Sequence, residues 1–164
     1  MKKVLLNLLI FVATPLTFIL VAYQLARLFA PGSYPYAELY ELDVPEDDVI
    51  KAVELLKIRH PNLSPPLDLV DGRRSSTDYW YDIYLFDTAH NQIYYAWTRP
   101  ETKSVTTMAL VSVSKNVSFG NWMLVNKEFT SKQNREAISR FESLFLDSIK
   151  GTIRSSSLDS SKLE

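Results

Sequence analysis

Residues 79–98 read YWYDIYLFDTAHNQIYYAWT, and the fold follows from this stretch. Aromatic and β-branched side chains crowd its two ends, where they suit a pleated, half-buried surface. Its polar middle holds the Asp and Asn that turns favour. The pattern predicts a strand over 79–86, a turn over 87–91 and a returning strand over 92–98. Successive strand residues point to opposite sides. Tyr79, Tyr81, Ile83 and Leu85 therefore share one face, and Trp80, Asp82, Tyr84 and Phe86 the other. Both faces are heavily apolar, so one packs on the rest of the domain while the other is either a second packed surface or a grip.

Working outward, Arg99, Pro100 and Glu101 turn the chain into a third strand over 104–113. There Val105, Thr107, Ala109, Val111 and Val113 alternate with Thr106, Met108, Leu110 and Ser112. Residues 115–121 are turn-rich, and 122–125 suit a short strand. On the N-terminal side, Pro45 followed by Glu46, Asp47 and Asp48 marks a helix start, because Pro fits the first turn and carboxylates suit the positive end of the dipole. Val49, Ala52, Val53 and Leu56 continue at helical spacing, and Pro61 stops the helix after His60. On the C-terminal side, Thr130 and Gln133 make a capping box. Ala137, Ile138, Phe141, Leu144, Phe145 and Ile149 form an apolar stripe, and Gly151 can end the helix. A strand over 37–42 is also allowed before the first helix.

The predicted class is α+β: a two-layer sandwich of a three- to five-stranded antiparallel sheet and two helices, in the order helix, three strands, helix. Double-stranded-RNA-binding domains share that order. They read RNA with basic side chains at the second helix, whereas here Lys132 and Arg135 stand beside Glu136 in a net acidic domain, so no nucleic-acid partner is expected.

Ahead of the domain, Met1, Lys2 and Lys3 precede an uncharged apolar run over 4–23. Twenty helical residues span about 30 Å, the thickness of a bilayer's hydrocarbon core. A cleaved signal peptide is the alternative, but its apolar region is shorter and needs a nearby small-x-small site. The one triplet of that form, Ala30-Pro31-Gly32, starts well past the run. The expected organisation is a transmembrane anchor over 1–30, one extracytoplasmic domain over 31–151 and a disordered serine-rich tail over 152–164. Lys2 and Lys3 outweigh Arg27, which places the N-terminus in the cytoplasm and the domain outside, periplasmic in a Gram-negative cell. Beyond residue 30 there are 15 basic and 19 acidic residues, a net charge of −4, which argues against a phosphate-backbone partner. No cysteine is present, so disulfides, thiol nucleophiles and cysteine metal sites are excluded.

No motif carries chemistry. The four glycines are scattered at 32, 72, 120 and 151 and make no phosphate loop, and no G-x-S-x-G elbow occurs. His90 with Asp87 and Asn91 is the nearest approach to a metal or acid–base cluster, yet a turn wants those residues anyway, and neither a metal nor a cofactor is expected. Residues 61–77 form a long connection holding Arg73 and Arg74. Eight of the nineteen residues from 79 to 97 are aromatic, against 12% for the chain. The candidate binding surface is therefore Trp80, Asp82, Tyr84, Tyr95 and Trp97 with Arg73 and Arg74, and burial of Asp82 on its ring-rich face would mark it out.

The functional expectation is a membrane-tethered, non-enzymatic domain that binds another envelope protein as an accessory, assembly or protective subunit, held to the lipid bilayer by residues 4–23. One alternative is a glycan-, peptidoglycan- or lipid-binding domain using the aromatic face. A second is a hydrolase using carboxylates such as Asp82 and Asp87.

Overall fold

The computed structural model of the protein describes residues 34–66, 68–115 and 121–160, with Thr14, Pro15, Thr17, Ile19, Val21 and Ala22 ahead of them. The chain divides into two compact units, Met1–Pro35 and Tyr36–Glu164. In the first, Thr14, Pro15, Thr17, Ile19, Val21 and Ala22 are helical and exposed. Among the described residues no helix is long and apolar enough to cross a membrane, and most of the 4–23 run lies outside them.

The second unit is α+β. Its elements are β1 (Glu38–Leu42), α1 (Glu46–Arg59), β2 (Tyr81–Asp87), β3 (Gln92–Pro100), β4 (Thr106–Ser114), β5 (Trp122–Leu124), α2 (Ser131–Phe141) and α3 (Asp147–Ser160). A π-helical segment, Glu142–Leu146, joins α2 to α3 without a break. The antiparallel sheet runs β1-β4-β3-β2, with β5 on the C-terminal end of β4. The expected hairpin is present, pairing Tyr81 with Thr98 through Asp87 with Gln92. Asn91, at φ 51°, takes the left-handed turn position that Asn tolerates.

One sheet face and the helices enclose the core. Ile83 and Leu85 of β2, Tyr94 and Ala96 of β3, and Met108 and Leu110 of β4 meet Val49, Val53 and Leu56 of α1 and Phe141, Phe145 and Ile149 of the C-terminal helical run. Strict alternation along the third strand does not hold. Tyr95 pairs with Ser112 but the next residue, Ala96, pairs with Leu110, leaving Val111 as an extra residue. Such a bulge reverses which parity faces inward. Met108 and Leu110 thus face the helices on one side of it and Val113 does so on the other.

The C-terminal helix also departs from expectation. Gly151 does not end it; the helix runs on to Ser160. Ile149 is fully buried, Thr152 is buried and Ile153 packs on the core, so the apolar stripe continues past the glycine. The hydroxyl of Thr152 donates to the Ser148 carbonyl, and Ser155 and Ser156 both donate to the Thr152 carbonyl. Serines expected to loosen the backbone are bonded back onto it, as mid-helix hydroxyls can be. The wider π turn brings residues four apart into line, so Ala137, Phe141, Phe145 and Ile149 all join the core.

Candidate functional site

The sheet face away from the core carries the ring-rich surface. Asp82, Tyr84 and Phe86 of β2 stand beside Ile93, Tyr95 and Trp97 of β3, with registers Asp82–Trp97, Tyr84–Tyr95 and Phe86–Ile93. Tyr84 and Tyr95 stack at 5.2 Å between ring centroids. Trp122 of β5 approaches them at 6.3 and 6.2 Å. At the other end Trp80 lies against Trp97 at 4.0 Å, and the Arg99 guanidinium sits over Tyr79, Trp80 and Trp97 within about 6 Å, a range in which a cation is attracted to ring faces.

Asp82 is the polar centre of this face, and it is buried, at 4% exposure. Its Oδ1 accepts from the Tyr95 hydroxyl at 2.7 Å and its Oδ2 from Arg74 Nε at 2.8 Å. Arg74 in turn reaches the Tyr95 hydroxyl at 3.4 Å. A desolvated carboxylate held by a phenol and a guanidinium orients both partners, the buried bond to Tyr95 being the less screened of the two. The Arg74 side chain remains 67% exposed.

The loop that carries the arginines is built onto the sheet. Gly72 and Asp82 exchange both backbone hydrogen bonds at 2.9 Å, an isolated bridge on the outer edge of β2. Asp71 Oδ1 accepts from the Tyr84 amide at 2.9 Å, and Lys57 donates to the Tyr84 carbonyl at 2.7 Å and pairs with the other Asp71 oxygen. An open edge strand is thereby closed. Gly72 has φ +145°, a conformation that L side chains rarely adopt. On either side of the sheet edge the two arginines part: Arg74 joins the aromatic face, whereas Arg73 pairs with Glu46 at the start of α1 and lies over Tyr81.

Of the expected surface, Trp80, Asp82, Tyr84, Tyr95 and Arg74 come together. Trp97 shares their face but is 3% exposed, so it forms the floor of the patch rather than a grip. Arg73 belongs to the helix side. Its partner Glu46 is buried at 7%, so the acidic run at the helix start holds more than a dipole ligand. Trp122 and Arg99 were not in the expected set. Arg99 could have been found, since it lies two residues beyond Trp97 on the same strand face. Trp122 could not, because its strand pairs only with the end of β4.

The hairpin tip is a separate constellation. Asp87 is buried at 4%; its Oδ1 accepts from the amides of Ala89 and His90, and its Oδ2 faces His90 Nδ1 at 2.8 Å. Arg140 Nε lies 3.8 Å from the same oxygen. Among the described residues no group of three or more His, Asp or Glu side chains could hold a metal ion. His60 follows α1 as its C-terminal cap, donating its amide to the Leu56 carbonyl at 2.9 Å. Burial pushes the phenols of Tyr81 and Tyr94 up from their ordinary value; Asp71 adds to the rise for Tyr81, and Arg140 opposes it for Tyr94.

Comparisons of the chain with models of known protein families, with curated proteins and with solved structures find no match.

Proposed function

We propose that this chain is a membrane-tethered, non-enzymatic domain that binds another envelope protein through the aromatic face of its sheet. The observation that carries the reading is the Asp82–Tyr95–Arg74 arrangement, which locks an arginine and a tyrosine beside half-buried Trp80, Tyr84 and Trp122. Tyr, Trp and Arg are the residues that dominate protein–protein hot spots, and holding them in place lowers the entropy lost on association. The exposed Arg74 guanidinium favours a partner that presents a carboxylate at the rim.

The tethering half of the proposal rests on the apolar run over 4–23, behind Lys2 and Lys3. Ile19 and Val21 are 64% and 51% exposed, which suits side chains that face lipid. The orientation puts the domain outside the cytoplasm, where it acts as an accessory, assembly or protective subunit.

The test is purification of the full-length protein from membranes in mild detergent, with mass spectrometry of what stays bound, beside Trp80→Ala and Arg74→Ala variants. A stoichiometric protein lost from both variants supports the reading. A folded protein that retains a glycan or lipid instead would replace the protein partner with a small ligand. If removal of residues 1–30 leaves the chain in the membrane fraction, the tether is not that segment.

A further inference from the structure

Between the β2–β3 turn and the C-terminal helical run lies a cleft of about 550 Å³ that the aromatic face does not touch. Its helical wall is made of two ridges of residues four apart: Arg135, Ser139 and Ser143 on one, and Glu136, Arg140 and Leu144 on the other. Its second wall is the hairpin tip, with Asp87 and His90. The π segment starts within this wall, at Glu142. Single π turns in longer helices recur at functional sites.

The polar groups of the cleft are unequal in what they already bond. The Asp87 carboxylate is committed to two amides and the His90 ring. Glu136 lies 3.9 Å from Lys132, one turn back on its own helix. The donors are less satisfied. Arg140 makes a 3.4 Å contact to Gln92 and a 3.8 Å approach to Asp87, and it lies near the Tyr94 hydroxyl. Arg135 is exposed and has no acceptor among the described residues. Ser139 is likewise exposed, and Ser143 spends its hydroxyl on a 3.3 Å bond to the Arg140 carbonyl.

We infer that this cleft is a binding site for a phosphate group, held by the guanidinium groups of Arg135 and Arg140 with the Ser139 hydroxyl as a further donor. A carboxylate offers two oxygens, whereas two guanidinium forks beside a hydroxyl match the larger acceptor set of a tetrahedral anion. Asp87 sets the geometry: it accepts from the His90 ring, and the 3.8 Å approach of Arg140 to the same oxygen keeps that guanidinium at the cleft. The phosphate can belong to a soluble ester or to a lipid headgroup; both present the same oxygens.

The full-length protein in mild detergent tests this by equilibrium dialysis against inorganic phosphate, with chloride at matched ionic strength as reference. Native mass spectrometry with short-chain phosphatidic acid and with phosphatidylcholine provides the lipid arm. Arg135→Gln, an exposed position that leaves the core intact, should weaken binding by about tenfold or more, the scale of a lost charge-assisted bond. Lys51→Gln, on α1 and 70% exposed, should leave it unchanged. Saturable phosphate binding lost in Arg135→Gln assigns a soluble ligand. Selective retention of phosphatidic acid, also lost in Arg135→Gln, assigns a headgroup. No saturable binding in either arm, or equal loss in Lys51→Gln, overturns the proposal.

Discussion

Thr98 Oγ1 donates a 3.0 Å hydrogen bond to Glu46 Oε1, joining the middle of the sheet to the start of α1 across 52 residues. Arg73 takes the other carboxylate oxygen, so a strand hydroxyl and the long loop share one buried acceptor in the first turn of the helix. Removing the acceptor should cost more than removing a donor, because it strands two polar partners instead of one. Glu46→Ala is expected to lower stability by about 2–3 kcal/mol and Thr98→Val by about 1 kcal/mol, while Asp47→Ala, at an exposed position on the same turn, changes little. Urea denaturation midpoints give the order directly. Equal effects at Glu46 and Asp47 would mean that the carboxylate matters only through the helix dipole.

Asp82 gives a second ordering. Arg74 is largely exposed and its share of the pair is screened, so most of the loss in Asp82→Ala should come from the buried bond to Tyr95. Asp82→Ala should therefore cost about 1–2 kcal/mol, with Tyr95→Phe close to it and Arg74→Gln well below. Asp82→Asn can still accept from Tyr95 and should fall between wild type and Ala. If Arg74→Gln proves the most damaging of the set, the ion pair rather than the phenol bond organises the face.

These two acids show where sequence reading reached and where it stopped. The hairpin, both helix starts and the capping box at Thr130 were legible, because each depends on neighbours within four residues. Asp82 could be placed on the ring-rich face from strand parity alone, but its burial depends on Arg74 folding back from the loop. The loop itself reads only as a long connection, since nothing local reveals that Gly72 bridges Asp82 and that Asp71 and Lys57 meet at Tyr84. The third strand was misphased beyond Val111, because a bulge has no signature in an unbroken β-branched run. The helix passes through Gly151 because packing at Ile149 and Thr152 outweighs the glycine's poor propensity.

Gly72 tests the docked loop. Its φ of +145° excludes a side chain on backbone grounds, although no atom lies within 4 Å of where a Cβ would stand. Gly72→Ala should cost about 1–2 kcal/mol through that strain alone. The specific readout is hydrogen exchange: the amides of Asp82 and Tyr84, bonded to Gly72 and Asp71, should lose protection while those of β3 and β4 keep theirs. Uniform loss across the sheet would instead mean that the loop and sheet unfold as one unit.

Two core tyrosines predict alkaline behaviour. Burial raises the phenol of Tyr94, with Arg140 opposing and Asp87 adding, and burial followed by Glu142 and Glu38 raises that of Tyr40 well beyond its usual range. A folded-state value above the unfolded one, near 10, means that the native state keeps protons the unfolded chain releases. The associated stability is complete below about pH 10 and is lost as pH rises beyond it. Denaturation midpoints should therefore decline above that point, with phenolate absorbance from these two rings appearing only as the domain unfolds. Among the described residues neither hydroxyl has a partner in hydrogen-bonding geometry, although Glu142 lies near Tyr40 and Arg140 near Tyr94, so the hydroxyls are expendable at neutral pH. Tyr94→Phe should be neutral or slightly stabilising, whereas Tyr94→Ala, at a fully buried site between Phe141 and Phe145, should cost about 3–5 kcal/mol. The double variant Tyr40→Phe, Tyr94→Phe should move the alkaline decline to higher pH. A loss above about 1 kcal/mol in Tyr94→Phe would show instead that Arg140 bonds the hydroxyl in solution, and the alkaline decline would then have to come from other groups.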